Sequence, residues 1–423
     1  MKEKVLYFLW KYHQFSNFSL KTTDNKIIEI NKSGIQNTNA GPDFLNASLI
    51  IDNQKWVGNV EIHQKSSDWY LHNHHLDDNY NAVILHVVWE HDMEVYNKSQ
   101  LPIPTLELKH TANEDFLKSY TDFLSYPKKW ILCENQLKKI DSFQVDNWLE
   151  KLYFERLERK YNEITELLLT YKNDWEAVLF LMISKSFGTK INGDVFLQIA
   201  KSIDFKLVRK EKNNLLVLES LFFGKAGLLN EDHLHAYFLK LKKSYSYLRS
   251  KYQIIDKEKI RCNFFRLRPS NFPTIRLAQL AQLYHQRNSL FLELMEAKSM
   301  NSFYKIFNVQ ASEFWDTHYT FNKETSRKTK SLTKSFVDML IINTVIPLKF
   351  AYYQQQQVYI ADELIAIMQA IKPEKNSVIE MYDSINLTAK DSLQSQALLQ
   401  LKNEYCDKIN CLECSFGKFI LGK

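Results

Sequence analysis

FLNASLII at 44–51, the pair Asp52-Asn53, then WVGNVEIH at 56–63: two β-rich runs divided by turn-forming residues predict an antiparallel hairpin. A third run, AVILHVVW at 82–89, is apolar almost without a break, the mark of a strand covered on both faces and central in its sheet. Working outward, LYFLW at 6–10 has helical spacing and predicts a first helix, ended by Ser16 and Asn17. Residues 26–30 alternate and stop at Ser33-Gly34, a short strand, and residues 105–108, after Pro102 and Pro104, predict a last one. Between the second and third runs lies a polar, His-rich segment, 66–81, expected to be partly helical. The strands at 27–30, 44–51, 56–63 and 83–89 should form one mixed sheet.

From about residue 111 the pattern becomes helical. Runs at 147–171, 176–187, 236–252, 275–297, 336–353 and 360–371 carry apolar residues at helical spacing, interrupted at Asn271-Phe272-Pro273 and Ile346-Pro347. The glutamines at 354–357 read as a helix end. The expected architecture is α+β: an N-terminal mixed domain, residues 1–125, followed by a large, mostly α-helical domain, 126–423, that ends in a cysteine cluster.

Composition narrows the chemistry. Glycine is scarce, 9 of 423 residues, and there is no G-x-G-x-x-G; the nearest phosphate-loop spacing, Gly188 to Gly193, runs into Asp194. Nucleotide-binding folds need those glycines for close backbone approach to phosphate, so the usual ATP, GTP and NAD chemistries are excluded. The net charge of +6 is mildly basic and permits a nucleic-acid partner. No apolar run approaches the roughly 20 residues of a membrane helix, and residues 5–10 are too short for a signal segment, which together predict a cytoplasmic protein with no membrane partner. Five cysteines are too few, and odd in number, for a disulfide framework.

The chemistry-bearing residues begin at Gly41-Pro42-Asp43. Asp43 precedes one strand of the hairpin, and Glu61 and His63 share a face of the other. The hairpin should bring Asp43 beside Glu61, where two carboxylates can hold one Mg²⁺ or Mn²⁺ ion. His63 or Lys65, on the same face, would orient or activate a water for in-line attack on a phosphodiester. Against this stands ordinary turn chemistry at Gly-Pro-Asp. Among His72, His74, His75, Asp77 and Asp78, a separate metal site competes with a polar helix start. The preferred reading places one of these histidines near Asp43 and Glu61, touching substrate phosphate, with His72 and His74 the candidates. His86 reads as a hydrogen-bonded core residue.

Pro42-Asp43, then Glu61-x-His63, resembles the PD-(D/E)XK nuclease motif, and the order helix, three strands, helix, strand is similar to that superfamily's αβββαβ core. The resemblance implies a restriction-endonuclease-like domain in which Asp43 and Glu61 bind the metal, with the Ile62 carbonyl beside them. His63 stands where the superfamily has Lys. Either a neutral imidazole replaces the ammonium, or Lys65 serves, or the chain is a non-catalytic member. The whole chain also resembles a bacterial family, domain-of-unknown-function family 2851, through NAGPDF at 39–44, WVGNVEIH at 56–63, Ser67-Asp68-Trp69, RPSNFP at 268–273 and the Cys-rich tail. That family brings no activity with it.

In the tail, Cys406, Cys411 and Cys414 have a spacing that can wrap a zinc ion or an iron–sulfur cluster. Cys133 is the expected fourth ligand and Cys262 the runner-up; the bland alternative is reduced thiols that only pack. Some nucleases tied to helicases or to CRISPR systems hold an iron–sulfur cluster with one early and three late cysteines, an order similar in outline to this one. Residues 239–268 are rich in Lys, Arg, Tyr and Phe, and Arg327, Lys328, Lys330 and Lys334 add a second basic run. These suit phosphate neutralisation and base stacking, and equally a solvated helix face. Arg268 and Arg276, flanking a turn into a helix, are expected phosphate contacts near the site. The sequence thus points to a metal-dependent nuclease acting on DNA, with a non-catalytic nucleic-acid-binding or scaffold protein as the alternative.

Overall fold

A computed structural model describes residues 2–16, 19–37, 40–125, 130–231, 233–255 and 260–421. Asn17, Asn39, Lys257 and Lys259, each part of a sequence expectation, lie outside them. The chain is mixed α+β and divides into two compact units, residues 1–145 with 401–423, and residues 146–400. The division expected at residue 125 therefore falls later, within a helix. The cysteine tail belongs to the first unit, where its apolar residues Leu401, Leu412 and Phe416 are buried.

In the first unit, helix α1 (Glu3–Lys11) buries Val5, Leu6, Phe8, Leu9 and Trp10. Seven strands form one sheet: β1 (Leu20–Lys21), β2 (Ile27–Lys32), β3 (Ile35–Gln36), β4 (Phe44–Ile51), β5 (Gln54–Lys65), β6 (Val83–Glu90) and β7 (Thr105–Glu107). The order is β1-β2-β4-β5-β6-β7, with β3 also on β4. The expected hairpin is β4–β5, antiparallel, with Leu49 opposite Trp56. Asp52 and Asn53 both have positive φ, 50° and 63°, the left-handed pair that lets a two-residue turn match the strand twist. Asn46, φ 58°, sits where the register shifts between Phe44 and Ala47, so the end of β4 that carries Asp43 is re-aimed by a bulge.

β6 runs parallel to both β5 and β7. Its first six residues are buried, which accounts for the unbroken apolar run. Parallel pairing needs a crossover, and residues 66–82 supply it as α2 (Asp68–Leu71) and two 3₁₀ turns, His74–Leu76 and Asp78–Tyr80. Gly58 allows the crossover to close: a Cβ there would lie 2.5 Å from the Ala82 carbonyl oxygen. Helix α3 (Glu114–Ser125) follows the sheet, and α4 (Ser142–Thr170) contains the division.

Among the described residues the regular structure of the second unit is helical apart from a small pair of strands, His318–Thr320 and Lys323–Glu324. The run expected at 275–297 is two helices, Pro273–Gln286 and Leu290–Glu296. Pro347 does not end its helix. A π segment, Ile341–Val345, precedes it, the local rewinding that accommodates a residue lacking an N–H. The composite helix Lys334–Gln355 is long and apolar enough to cross a membrane by length and composition, yet 67% of its apolar window is buried inside the protein, as in a core helix.

Candidate metal centre

Asp43 and Glu61 meet at the bulged end of the hairpin. The Asp43 N–H donates to Glu61 Oε2 (3.1 Å), and the Ile62 N–H donates to Asp43 Oδ2 (2.9 Å). Gly41, φ +106°, makes the turn before Pro42 that delivers Asp43 to this position. From α1, Tyr7 reaches across and its hydroxyl donates to Asp43 Oδ1 (2.8 Å). Glu61 is 4% exposed. Burial holds both carboxyls well above the usual carboxylate range, and for Asp43 the neighbouring Glu61 adds to it. Among the described residues no Lys or Arg forms an ion pair with either carboxylate. Glu61 is buried, Asp43 half-buried, and Glu61 raises the Asp43 pKa, an arrangement that a positive charge between the two carboxyls would relieve.

The crossover brings histidines to the same place. Asn73, φ 60°, turns the chain between α2 and the first 3₁₀ turn, so His72 and His74 flank a left-handed residue. His74 lies flat on Tyr80, ring centroids 3.8 Å apart. Its Nε2 is 3.2 Å from Glu61 Oε1, off the direction a hydrogen bond requires, and this buried nitrogen has no hydrogen-bond partner. His63 Nε2 is 3.5 Å from the same oxygen and 3.1 Å from His72 Nδ1. Ligand atoms of His63, His72 and His74 lie within 4.8 Å of one another, and among the described residues no other group of three or more His, Cys, Asp or Glu does so.

Behind this layer, His63 Nδ1 is 2.8 Å from Nε2 of His86, which is fully buried. Burial and the neighbouring imidazoles His74 and His72 push His63 down to about 3, so it is neutral near pH 7. The crossover itself is pinned by Ser66 and Asp92. The buried Ser66 hydroxyl donates to Asp92 Oδ1 (2.9 Å) and accepts the N–H groups of Asp92 and Met93. Ser67 donates twice more to Asp92, Asp68 accepts the Lys65 N–H, and the Trp69 indole donates to the Tyr96 carbonyl. The sequence block Ser67-Asp68-Trp69 is therefore the anchor of the histidine turn.

The expected site residues separate into two groups. Asp43, Glu61, His63, His72 and His74 come together, and there is no second metal group around His75, Asp77 and Asp78 among the described residues. Lys65, in contrast, is exposed beyond the buried end of β5 and pairs with neither carboxylate. Arg268 and Arg276 both belong to the second unit. Arg268 is exposed. Arg276 is buried against Phe336, its guanidinium 3.5 Å from the ring centroid, and donates to Gln279 and Asn271. It lines a cavity of about 810 Å³ with Lys160, Lys185 and Lys190. In the helix Ala236–Tyr252, Tyr245 is buried and Lys251 pairs with Glu211 at 2.9 Å, so part of the basic, aromatic run serves packing and surface pairing.

Tyr7, Tyr80 and the His63–His86 pair were not foreseen as parts of the site. Tyr7 sits in an amphipathic helix and Tyr80 in a polar segment, and neither position carries a spacing signal. The alternation of His86 with apolar residues did mark it as hydrogen-bonded core, without naming its partner. No curated protein and no solved structure matches the chain. One family does match, over residues 3–377, a span that takes in every residue of this cluster, and the chain belongs to it: the family described as Protein of unknown function (DUF2851).

Proposed function

We propose that the protein is a cytoplasmic, metal-dependent phosphodiesterase acting on DNA, with a first unit that is a variant of the PD-(D/E)XK nuclease fold. The observation that carries this reading is the meeting of half-buried Asp43 and buried Glu61, which pair with no Lys or Arg among the described residues, with a buried His74 nitrogen that has no hydrogen-bond partner. The residues present fit a divalent ion. Glu61, Asp43, His63 and His74 would hold it, and imidazoles beside carboxylates suit Mn²⁺ better than Mg²⁺, which prefers oxygen donors. A bound ion supplies positive charge to a phosphoryl oxygen and lowers the pKa of water.

The chain's own residues do the rest. Tyr7 fixes the Asp43 carboxylate through one oxygen and the Ile62 N–H fixes it through the other. His63 Nδ1 and His86 Nε2 share one hydrogen bond; with the proton on His63 Nδ1, the Nε2 lone pair of His63 would face Glu61 and His72. A neutral imidazole cannot repeat the charge of the superfamily's lysine, so His63 acts as a ligand. His72, the exposed histidine of the three, is the group placed to take a proton from an attacking water. The basic balance of the chain suits a polyanion.

A second reading, a non-catalytic DNA-binding or scaffold protein, draws support from one observation: no lysine occupies the third motif position and Lys65 points to solvent. Labelled single- and double-stranded DNA with Mn²⁺ or Mg²⁺ separates the two. The first reading expects Mn²⁺-dependent cleavage, abolished by Asp43→Asn and Glu61→Gln and slowed on the order of 100-fold by His72→Ala. Mn²⁺ binding with no cleavage of either substrate supports the scaffold.

A further inference from the structure

Four of the five cysteines converge in the first unit. Cys133, Cys406, Cys411 and Cys414 line one small cavity with Phe123 and Tyr405, and none is in a disulfide. Sequence separation makes this convergence informative: Cys133 and the tail are joined only through the whole helical unit, yet they face the same space. Cys262, the alternative fourth ligand, lies in the second unit and is not part of the set. The Cys133 thiol is pushed far up by burial and then by each of the other three thiols around the same space.

The local backbone is arranged to present the sulfurs. Cys133 lies in a turn whose carbonyl accepts from Gln136 and Leu137. Cys406 closes a π segment, Leu401–Cys406, a helix irregularity associated with functional positions. Cys411 and Cys414 form a knuckle, with the Cys414 N–H on the Asn410 and Cys411 carbonyls, and Cys414 starts the last helix, Ser415–Ile420. The knuckle leaves no room for a side chain beneath it. A Cβ on Gly417 would come within 2.0 Å of the Cys411 carbonyl oxygen.

We propose that these four cysteines form a tetrathiolate site for a single thiophilic divalent ion, zinc being the best fit. The cavity of about 20 Å³ that the four thiols line has room for a single ion of that kind. No three of the sulfurs lie within 4.8 Å of one another, so the proposed site requires them to move inward on binding, which would tie the tail to the rest of the first unit. The site holds structure together and is separate from the Glu61–histidine centre, which contains no sulfur.

The test uses the full-length protein purified without oxygen. Elemental analysis should find about one zinc per chain bound in this way and no iron with acid-labile sulfide. Replacing zinc by Co²⁺ should give an intense thiolate-to-metal charge-transfer band, which an oxygen and nitrogen site cannot produce. That band should be lost in Cys411→Ser and Cys414→Ser. If these variants fail to fold, a chelator added to the native protein should lower its melting temperature, with zinc restoring it. Iron with sulfide, disulfides found on thiol counting, or a melting temperature indifferent to chelator together with no Co²⁺–thiolate band would overturn the proposal.

Discussion

Glu61 is where the site can be tested one atom at a time. Its carboxyl is buried, accepts a single backbone N–H, and is held far above the usual carboxylate range chiefly by burial. A carboxyl whose folded pKa is raised contributes its stability below the ordinary carboxylate pKa and loses it as pH rises through the higher folded value. The metal-free protein should therefore weaken between about pH 5 and about pH 9. Glu61→Gln keeps an acceptor for the Asp43 N–H and removes the ionisation. We expect this variant to be more stable than the parent by about 2 kcal/mol at the alkaline end and unchanged at the acid end, read by denaturant unfolding without metal. The same variant should lose Mn²⁺ binding. A gain in stability coupled to a loss of ligand is the sign of a group kept for function; equal stability at both pH values would show that the Glu61 pKa is not raised in the folded protein.

Between β5 and β6 the crossover is the element that makes or breaks the centre. Ser66 is fully buried, accepts the N–H groups of Asp92 and Met93 and donates to the Asp92 carboxylate, so Ser66→Ala removes all three of these hydrogen bonds. The expected cost is about 1–3 kcal/mol. Because His72 and His74 hang from the turn that Ser66 anchors, Mn²⁺ affinity should fall by more than this loss of stability explains. Calorimetric titration of the folded variant checks it, and unchanged affinity would show that the turn is held by Trp69 packing alone. The strands of this region were legible because their signals are local: β-rich composition in β4 and β5, an unbroken apolar run in β6, and a turn pair at Asp52-Asn53. Asp43 beside Glu61 followed from the hairpin. The convergence of His63, His72 and His74 on one carboxylate depends on the crossover, a left-handed Asn73 and a buried serine hub, which no periodicity encodes. The helix containing Pro347 shows the same limit from the other side: a proline read as a break is absorbed by a π segment.

At the scale of the whole chain, the tail belongs with the first unit although 255 residues intervene, residues 146–400. Leu401, Leu412 and Phe416 are buried, and Lys4 donates to Asn410 across to α1 at 2.8 Å. Each large apolar side chain buried contributes roughly 1.5–3 kcal/mol, so removing residues 401–423 should strip roughly 5 kcal/mol from the first unit. Hydrogen exchange should then speed up in α1 and β5 while the helices of the second unit keep their protection; unchanged exchange in α1 would contradict the assignment of the tail. The domain boundary drawn from composition missed this because helical character changes at residue 111, whereas unit membership is set by contacts made after the chain returns. The central claim, that Glu61 and its histidines hold a divalent ion, is tested most directly by anomalous diffraction from crystals grown with Mn²⁺. The account predicts one strong anomalous peak bonded to a Glu61 oxygen and to Nε2 of His74; a map with no peak there, or with Mn²⁺ elsewhere and the Glu61–His74 contact unchanged, would contradict it.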